Sequence, residues 1–77
     1  MDFESKYISA FVDVFELSAD YNFTSLEYQS IESWDSVGHM ALIAQLEELF
    51  DIEIDINDII DFSSYSRGIE ILKKYIS

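Results

Sequence analysis

In the stretch Trp34-Asp35-Ser36-Val37-Gly38-His39-Met40-Ala41-Leu42-Ile43, an irregular segment gives way to helical periodicity, with an Asp-Ser pair at the junction. A helix start leaves its first amide N–H groups without partners and carries the positive end of the helix dipole. Asp and Ser are both favoured caps there, so either Asp35 or Ser36 suits that role. The same end favours an anion, so a phosphodiester carried on Ser36 would also be well placed. Spacing alone leaves both uses open.

The helix starting at Ser36, or just before it, extends to about Phe50. Leu42, Ile43, Leu46, Leu49 and Phe50 form one apolar stripe at helical spacing. Val37, Met40, Ala41 and Ala44 form a second, continued by Glu47 and Glu48. A helix that is apolar on two sides has more than one thing to contact. The next run, Asp51-Ile52-Glu53-Ile54-Asp55-Ile56, alternates as a strand would. It has no second strand to pair with, and an isolated strand leaves its backbone unsatisfied. It therefore reads as an extended connection into a short helix over about Ile56 to Asp61, with Asp55 as a candidate cap. A last helix follows Ser63-Ser64, either of which suits a cap. It places Tyr65, Ile69, Leu72 and Ile76 on one side, and Lys73 and Lys74 where they complement the dipole. Gly68 costs that helix up to ~1 kcal/mol relative to alanine, which points to close approach of a neighbour.

Upstream, Phe3, Tyr7, Ile8, Phe11, Val12 and Phe15 recur at helical spacing, with Asp13 and Glu16 on the other side. This predicts a helix from about Phe3 to Leu17 that ends near Ser18 to Asp20. From Asp20 to Asp35 no period holds. A connection that long is functional or packed down by its own side chains. Phe23, Leu26, Tyr28, Ile31 and Trp34 are the candidates to anchor it. The expected fold is all-α: a single domain over residues 1–77, with three main helices, a short third helix and a long first loop.

Composition fits that expectation. With 49% hydrophobic residues, 16% aromatics and no cysteine among 77 residues, the chain must hold itself together by an apolar core. Sixteen acids against four bases give a net charge of −12, and all the acids except Asp2, Glu4 and Glu70 lie in the stretch between Lys6 and Arg67 that holds no base. Such a surface repels nucleic-acid phosphates and anionic headgroups and steers in partners with basic patches. No apolar run is long enough to span a bilayer. The acidic start Met1-Asp2-Phe3-Glu4 argues against a secretory signal, so a cytoplasmic monomer is the expectation.

Taken together, Asp35-Ser36-Val37 at a helix start, the run Leu42 to Phe50, the short acidic third helix and the Tyr65-to-Ile76 helix resemble the acyl carrier protein family along essentially the whole chain. That family opens its second helix on Asp-Ser-Leu. The resemblance implies that Ser36 accepts 4′-phosphopantetheine from coenzyme A through a phosphopantetheinyl transferase, and that Asp35 supports this modification. It implies a non-catalytic carrier of acyl thioesters for fatty-acid or specialised biosynthesis, with aminoacyl or peptidyl cargo as the alternative. Val37, Met40 and Ala44 would give acyl-loading and acyl-transferring enzymes an apolar contact. Glu47, Glu48 and Asp58 would meet their basic patches, with the exposed one of Ile59 or Ile60 completing that surface. The inner stripes would line the space for an acyl chain. Two departures stand out: Val37 replaces leucine, and Gly38-His39-Met40 replaces a more acidic run. His39 reads as an exposed helix residue, or as a contact to the phosphate.

Rival chemistries fit less well. Asp35, Ser36 and His39 are too close in sequence to line up as nucleophile, base and orienter, and no nucleophile elbow is present. A calcium loop begun at Asp51 needs Gly at its sixth position and Glu at its twelfth, where this chain has Ile56 and Phe62. No metal site is expected. An unmodified helical interaction domain remains a competing expectation.

Overall fold

Each helix starts on a polar side chain supplied one residue ahead of it. The computed structural model describes residues 2–18 and 20–76. Helix α1 spans Phe3–Phe15, with Asp2 accepting the Ser5 N–H at 2.8 Å. Helix α2 spans Ser36–Phe50 and is capped by Asp35. Helix α3 spans Ile56–Asp61, with Asp55 accepting the Asn57 N–H at 2.9 Å. Helix α4 spans Tyr65–Ile76, and of the two candidate serines it is Ser64 that accepts the Arg67 N–H, at 3.0 Å. The fold is all-α, with four α-helices and one isolated antiparallel bridge, between Glu27 and Ser64, among the described residues. Helix α1 stops earlier than its periodicity suggests. Glu16 turns left-handed (φ 54°), and the Leu17 N–H returns to the Val12 carbonyl at 3.3 Å.

Helices α1 and α2 pack together along the core. Tyr7, Ala10, Phe11 and Phe15 of α1 face Leu42, Ile43 and Leu46 of α2, and Tyr65, Ile71 and Leu72 of α4 close the third side. The buried face of α4 is therefore not the expected Tyr65-Ile69-Leu72-Ile76 line. Ile69 is half-buried and Ile76 exposed, while Gly68 and Ile71 are buried. Gly68 explains the rotation. A Cβ there would overlap the Tyr7 hydroxyl and the Phe62 ring, so only glycine lets both lie on the helix backbone. The Tyr7 hydroxyl donates to the Tyr65 carbonyl at 2.6 Å, and burial pushes its pKa up.

The long connection is folded down onto this core. A single 3-10 turn, Phe23–Ser25, seats Phe23, and Leu26 and Trp34 are buried beyond it. The Tyr28 N–H donates to the Ser63 carbonyl at 2.8 Å and the Tyr65 N–H to the Leu26 carbonyl at 3.0 Å, which ties the loop to the α3–α4 junction. The radius of gyration, 11.3 Å, matches the roughly 11.5 Å expected of a packed domain this long.

The alternating run after α2 is an extended connection, as expected. Side chains replace the missing strand partners. The Ile54 N–H donates to a Glu47 carboxylate oxygen at 2.9 Å and the Asp55 N–H to the Tyr75 hydroxyl at 3.0 Å. Helix α3 buries no residue fully and is held to α4 by polar ties. Lys74 pairs with Asp58 at 2.7 Å, the Tyr75 hydroxyl donates to the same carboxylate, and Arg67 pairs with Asp61. Lys74 and then Tyr75 hold the Asp58 carboxyl below the usual aspartate value. A folded-state pKa that is depressed stabilises fully above the unfolded value and is lost as pH falls through the folded one. An NMR titration followed at the Asp58 carboxyl carbon should therefore find a midpoint below the ordinary 3.8. In Lys74→Ala the midpoint should move up toward that value. No helix among the described residues is long and apolar enough to cross a membrane.

Candidate functional site

The start of α2 divides its two candidate caps into separate roles. Asp35 is extended (φ −104°, ψ −168°), and its Oδ1 accepts the Gly38 N–H at 2.8 Å. Its carbonyl takes the His39 N–H at 2.7 Å, closing the first turn. The capping role thus falls to Asp35, and Ser36, the first helical residue, is left exposed with its side chain at the mouth of a groove. Asp35→Ala should cost about 1 kcal/mol in a urea melt, while Asp35→Asn, an equally good cap, should cost only a few tenths.

Gly38 lets the loop lie against this turn. A Cβ at residue 38 would overlap the Ser33 carbonyl oxygen and stand 3.2 Å from the Phe15 ring. The close approach brings Trp34 under α2. The indole N–H donates to His39 Nδ1 at 3.0 Å, and His39 Nε2 lies 2.8 Å from the Ile59 carbonyl on α3. An indole N–H only donates, so Nδ1 is the acceptor and Nε2 carries the proton that reaches Ile59. His39 is therefore not an exposed helix residue. It is half-buried and joins the loop, α2 and α3. A buried tryptophan needs an acceptor for its N–H. That need, set beside a histidine five residues on, was the sequence signal for this contact.

The groove holds about 340 Å³ and is lined by Tyr28, Ser36, His39, Met40, Ile56, Ile59, Ile60, Phe62 and Ser63. This corrects the expectation that the inner stripes line the space beside Ser36: Leu42, Ile43 and Leu46 are packed in the core and take no part in the lining. It also corrects Tyr28, which does not anchor the loop in the core. It stands exposed over the His39 ring, with centroids 5.4 Å apart.

The second stripe of α2 faces outward. Val37 is 77% exposed and Met40 51%. Ala41, Ala44 and Glu48 are exposed as well. Across the groove Ile56 and Ile60 are 62% and 75% exposed, so Ile60 is the outward one of its pair. Glu47 and Asp58 are partly committed within the fold: Glu47 holds the Ile54 N–H, and Asp58 holds Lys74 and Tyr75. Among the described residues no three His, Asp or Glu side chains gather as a metal site would need.

The fold and site thus define a small acidic helical domain with an exposed serine at a helix start, beside an apolar groove. Comparison with protein-family models, with curated proteins and with solved structures returns no match.

Proposed function

We propose that the chain is an acyl carrier protein that bears 4′-phosphopantetheine on Ser36 and is not itself a catalyst. The observation that carries this reading is the pairing of Asp35 and Ser36: Asp35 caps the helix and leaves the Ser36 hydroxyl exposed at the groove mouth. A phosphodiester at that position meets the positive end of α2. The arm, when bound, supplies a thiol that holds an acyl group as a thioester, which a chain without cysteine cannot do itself. His39 does not compete as a base for Ser36, because both its ring nitrogens are engaged by Trp34 and Ile59.

Partner enzymes would meet Val37, Met40 and Ala44 as an apolar strip beside Glu48. Basic patches on them would be drawn in by the net charge of −12, fastest at low salt. Glu47 keeps one carboxylate oxygen for such a contact, and Asp58 acts mainly by holding α3 in place. Asp35 supports the modification by charge as well as by capping, so Asp35→Asn should slow modification while leaving the fold intact.

The test is incubation with coenzyme A, magnesium and a broad-specificity phosphopantetheinyl transferase, followed by an intact mass. The expected result is one phosphopantetheine per chain, absent from Ser36→Ala, whose melting should stay within about 0.5 kcal/mol of the parent. No mass gain, or a gain that survives in Ser36→Ala, would favour an unmodified interaction domain, for which the exposed apolar strip would be the binding surface.

A further inference from the structure

The groove beside Ser36 ends on a plate of rings. His39 and Phe62 line it, with ring centroids 5.9 Å apart, and Trp34 lies behind them, 6.2 Å from His39 and 6.4 Å from Phe62. Trp34 is wholly buried and Phe62 nearly so. Hydrogen bonds fix the plate at both edges, from the indole N–H to Nδ1 and from Nε2 to the Ile59 carbonyl. Turning the imidazole aside would strand the buried indole N–H without a partner, which is expensive in an apolar interior. Leu42, Ile43 and Leu46 are packed in the core with almost no exposure and take no part in the lining. The way from Ser36 into the helical core is therefore closed.

From this we infer that His39, locked against Trp34 and Phe62, limits the length of the acyl chain this protein shelters: short and medium straight chains lie in the groove, and longer ones project into solvent. The inference rests on Ser36 being the attachment point. Capacity follows from volume. A cavity of about 150 Å³ holds benzene, so a groove of about 340 Å³ has room for roughly a dozen carbon atoms. The lining gives the chemistry. Met40, Ile56, Ile59 and Ile60 offer hydrocarbon, while Tyr28 and Ser63, also on the lining, are hydroxyl-bearing residues that suit a chain with one hydroxyl as well as a plain one. The chain's net charge of −12 disfavours a free acid end. His39 is a positioning residue here: it sets the depth of the groove and takes no part in making or breaking the thioester.

Because the chain has no cysteine, Ser36→Cys offers a single thiol at the groove mouth. Alkyl methanethiosulfonates convert it to a mixed disulfide with loss of methanesulfinate, with no transferase involved. Ethyl, hexyl, decyl and hexadecyl adducts are compared by melting temperature and by the methyl resonances of Leu46. Stability should rise from ethyl to decyl by at least about 5 °C, as apolar surface is covered. It should gain nothing further at hexadecyl, and Leu46 should stay unshifted throughout. In His39→Ala, on the same cysteine background, hexadecyl should add stability beyond decyl and shift Leu46, and His39→Gln, which restores polar contacts at that position, should bring the limit back. A parent chain in which hexadecyl stabilises beyond decyl and shifts Leu46, or in which no length changes the melting temperature, overturns the inference. Failure of the carrier reading appears separately, as absence of transferase labelling on the native serine.

Discussion

Trp34→Ala should lower the free energy of unfolding by about 3–5 kcal/mol, the range for removing a large buried aromatic side chain. Trp34 is wholly buried, and its ring sits 5.5 Å from Phe11, 5.4 Å from Phe15 and 6.4 Å from Phe62. Two losses combine. The cavity forfeits the contacts of a loop residue that joins α1 to the α3–α4 junction, and His39 Nδ1 loses its donor. Small domains have about 5–15 kcal/mol in total, so the variant should sit near its unfolding midpoint in mild urea. Circular dichroism is the right monitor, since the only tryptophan has gone. Trp34→Phe keeps much of the volume but not the N–H, and should fall between the two. A loss below about 1.5 kcal/mol for Trp34→Ala would show that the loop is not held by this ring.

Gly38→Ala should destabilise by about 2 kcal/mol, against the sign that helix propensity gives. In an unobstructed helix the change is worth up to ~1 kcal/mol of added stability. Here the new methyl overlaps the Ser33 carbonyl oxygen, a backbone atom that cannot rotate away as a side chain would. Overpacking of that kind costs about 1–3 kcal/mol or more and must also cancel the propensity gain. The relief is for the loop to lift off α2, which draws Trp34 away from His39 and changes the surroundings of Ser36. A urea melt should show the loss, and transferase labelling of Ser36 should slow in the folded variant. Equal or greater stability than the parent would mean that the loop yields easily and that Gly38 is not needed for close approach.

Local signals in the sequence carried far at α2 and α3. The stretch around Ser36 marked the start of its helix, and the alternating acids after Phe50 were legible as a connection because no partner strand existed. Gly68 announced close approach through its unfavourable propensity alone. Contacts between distant residues were less legible. Periodicity places a residue on a face, but it does not say which neighbour meets that face. Periodicity therefore put Ile76 on the core line and passed over Ile71, whereas the contact of Tyr7 and Phe62 with Gly68 sets the rotation of α4. Tyr28 read as an anchor because it is large and aromatic, yet it stands at the groove rim. His39 reads as an exposed helix residue, yet its role depends on an indole N–H and a carbonyl of α3. The groove joins the start of α2, the face of α3 and three residues of the connections, Tyr28, Phe62 and Ser63, so no single segment carries its pattern. Glu47 shows the same limit. A glutamate on an outer stripe looks free, but one of its oxygens completes the backbone of the α2–α3 connection.

Protein isolated from its native host offers the most direct measurement: mass mapping of the peptide that contains Ser36, with and without mild thioester cleavage. The account predicts a phosphopantetheine on Ser36, part of it carrying an acyl group released by that cleavage. A Ser36 peptide found wholly unmodified, or an arm found on another serine, would contradict it.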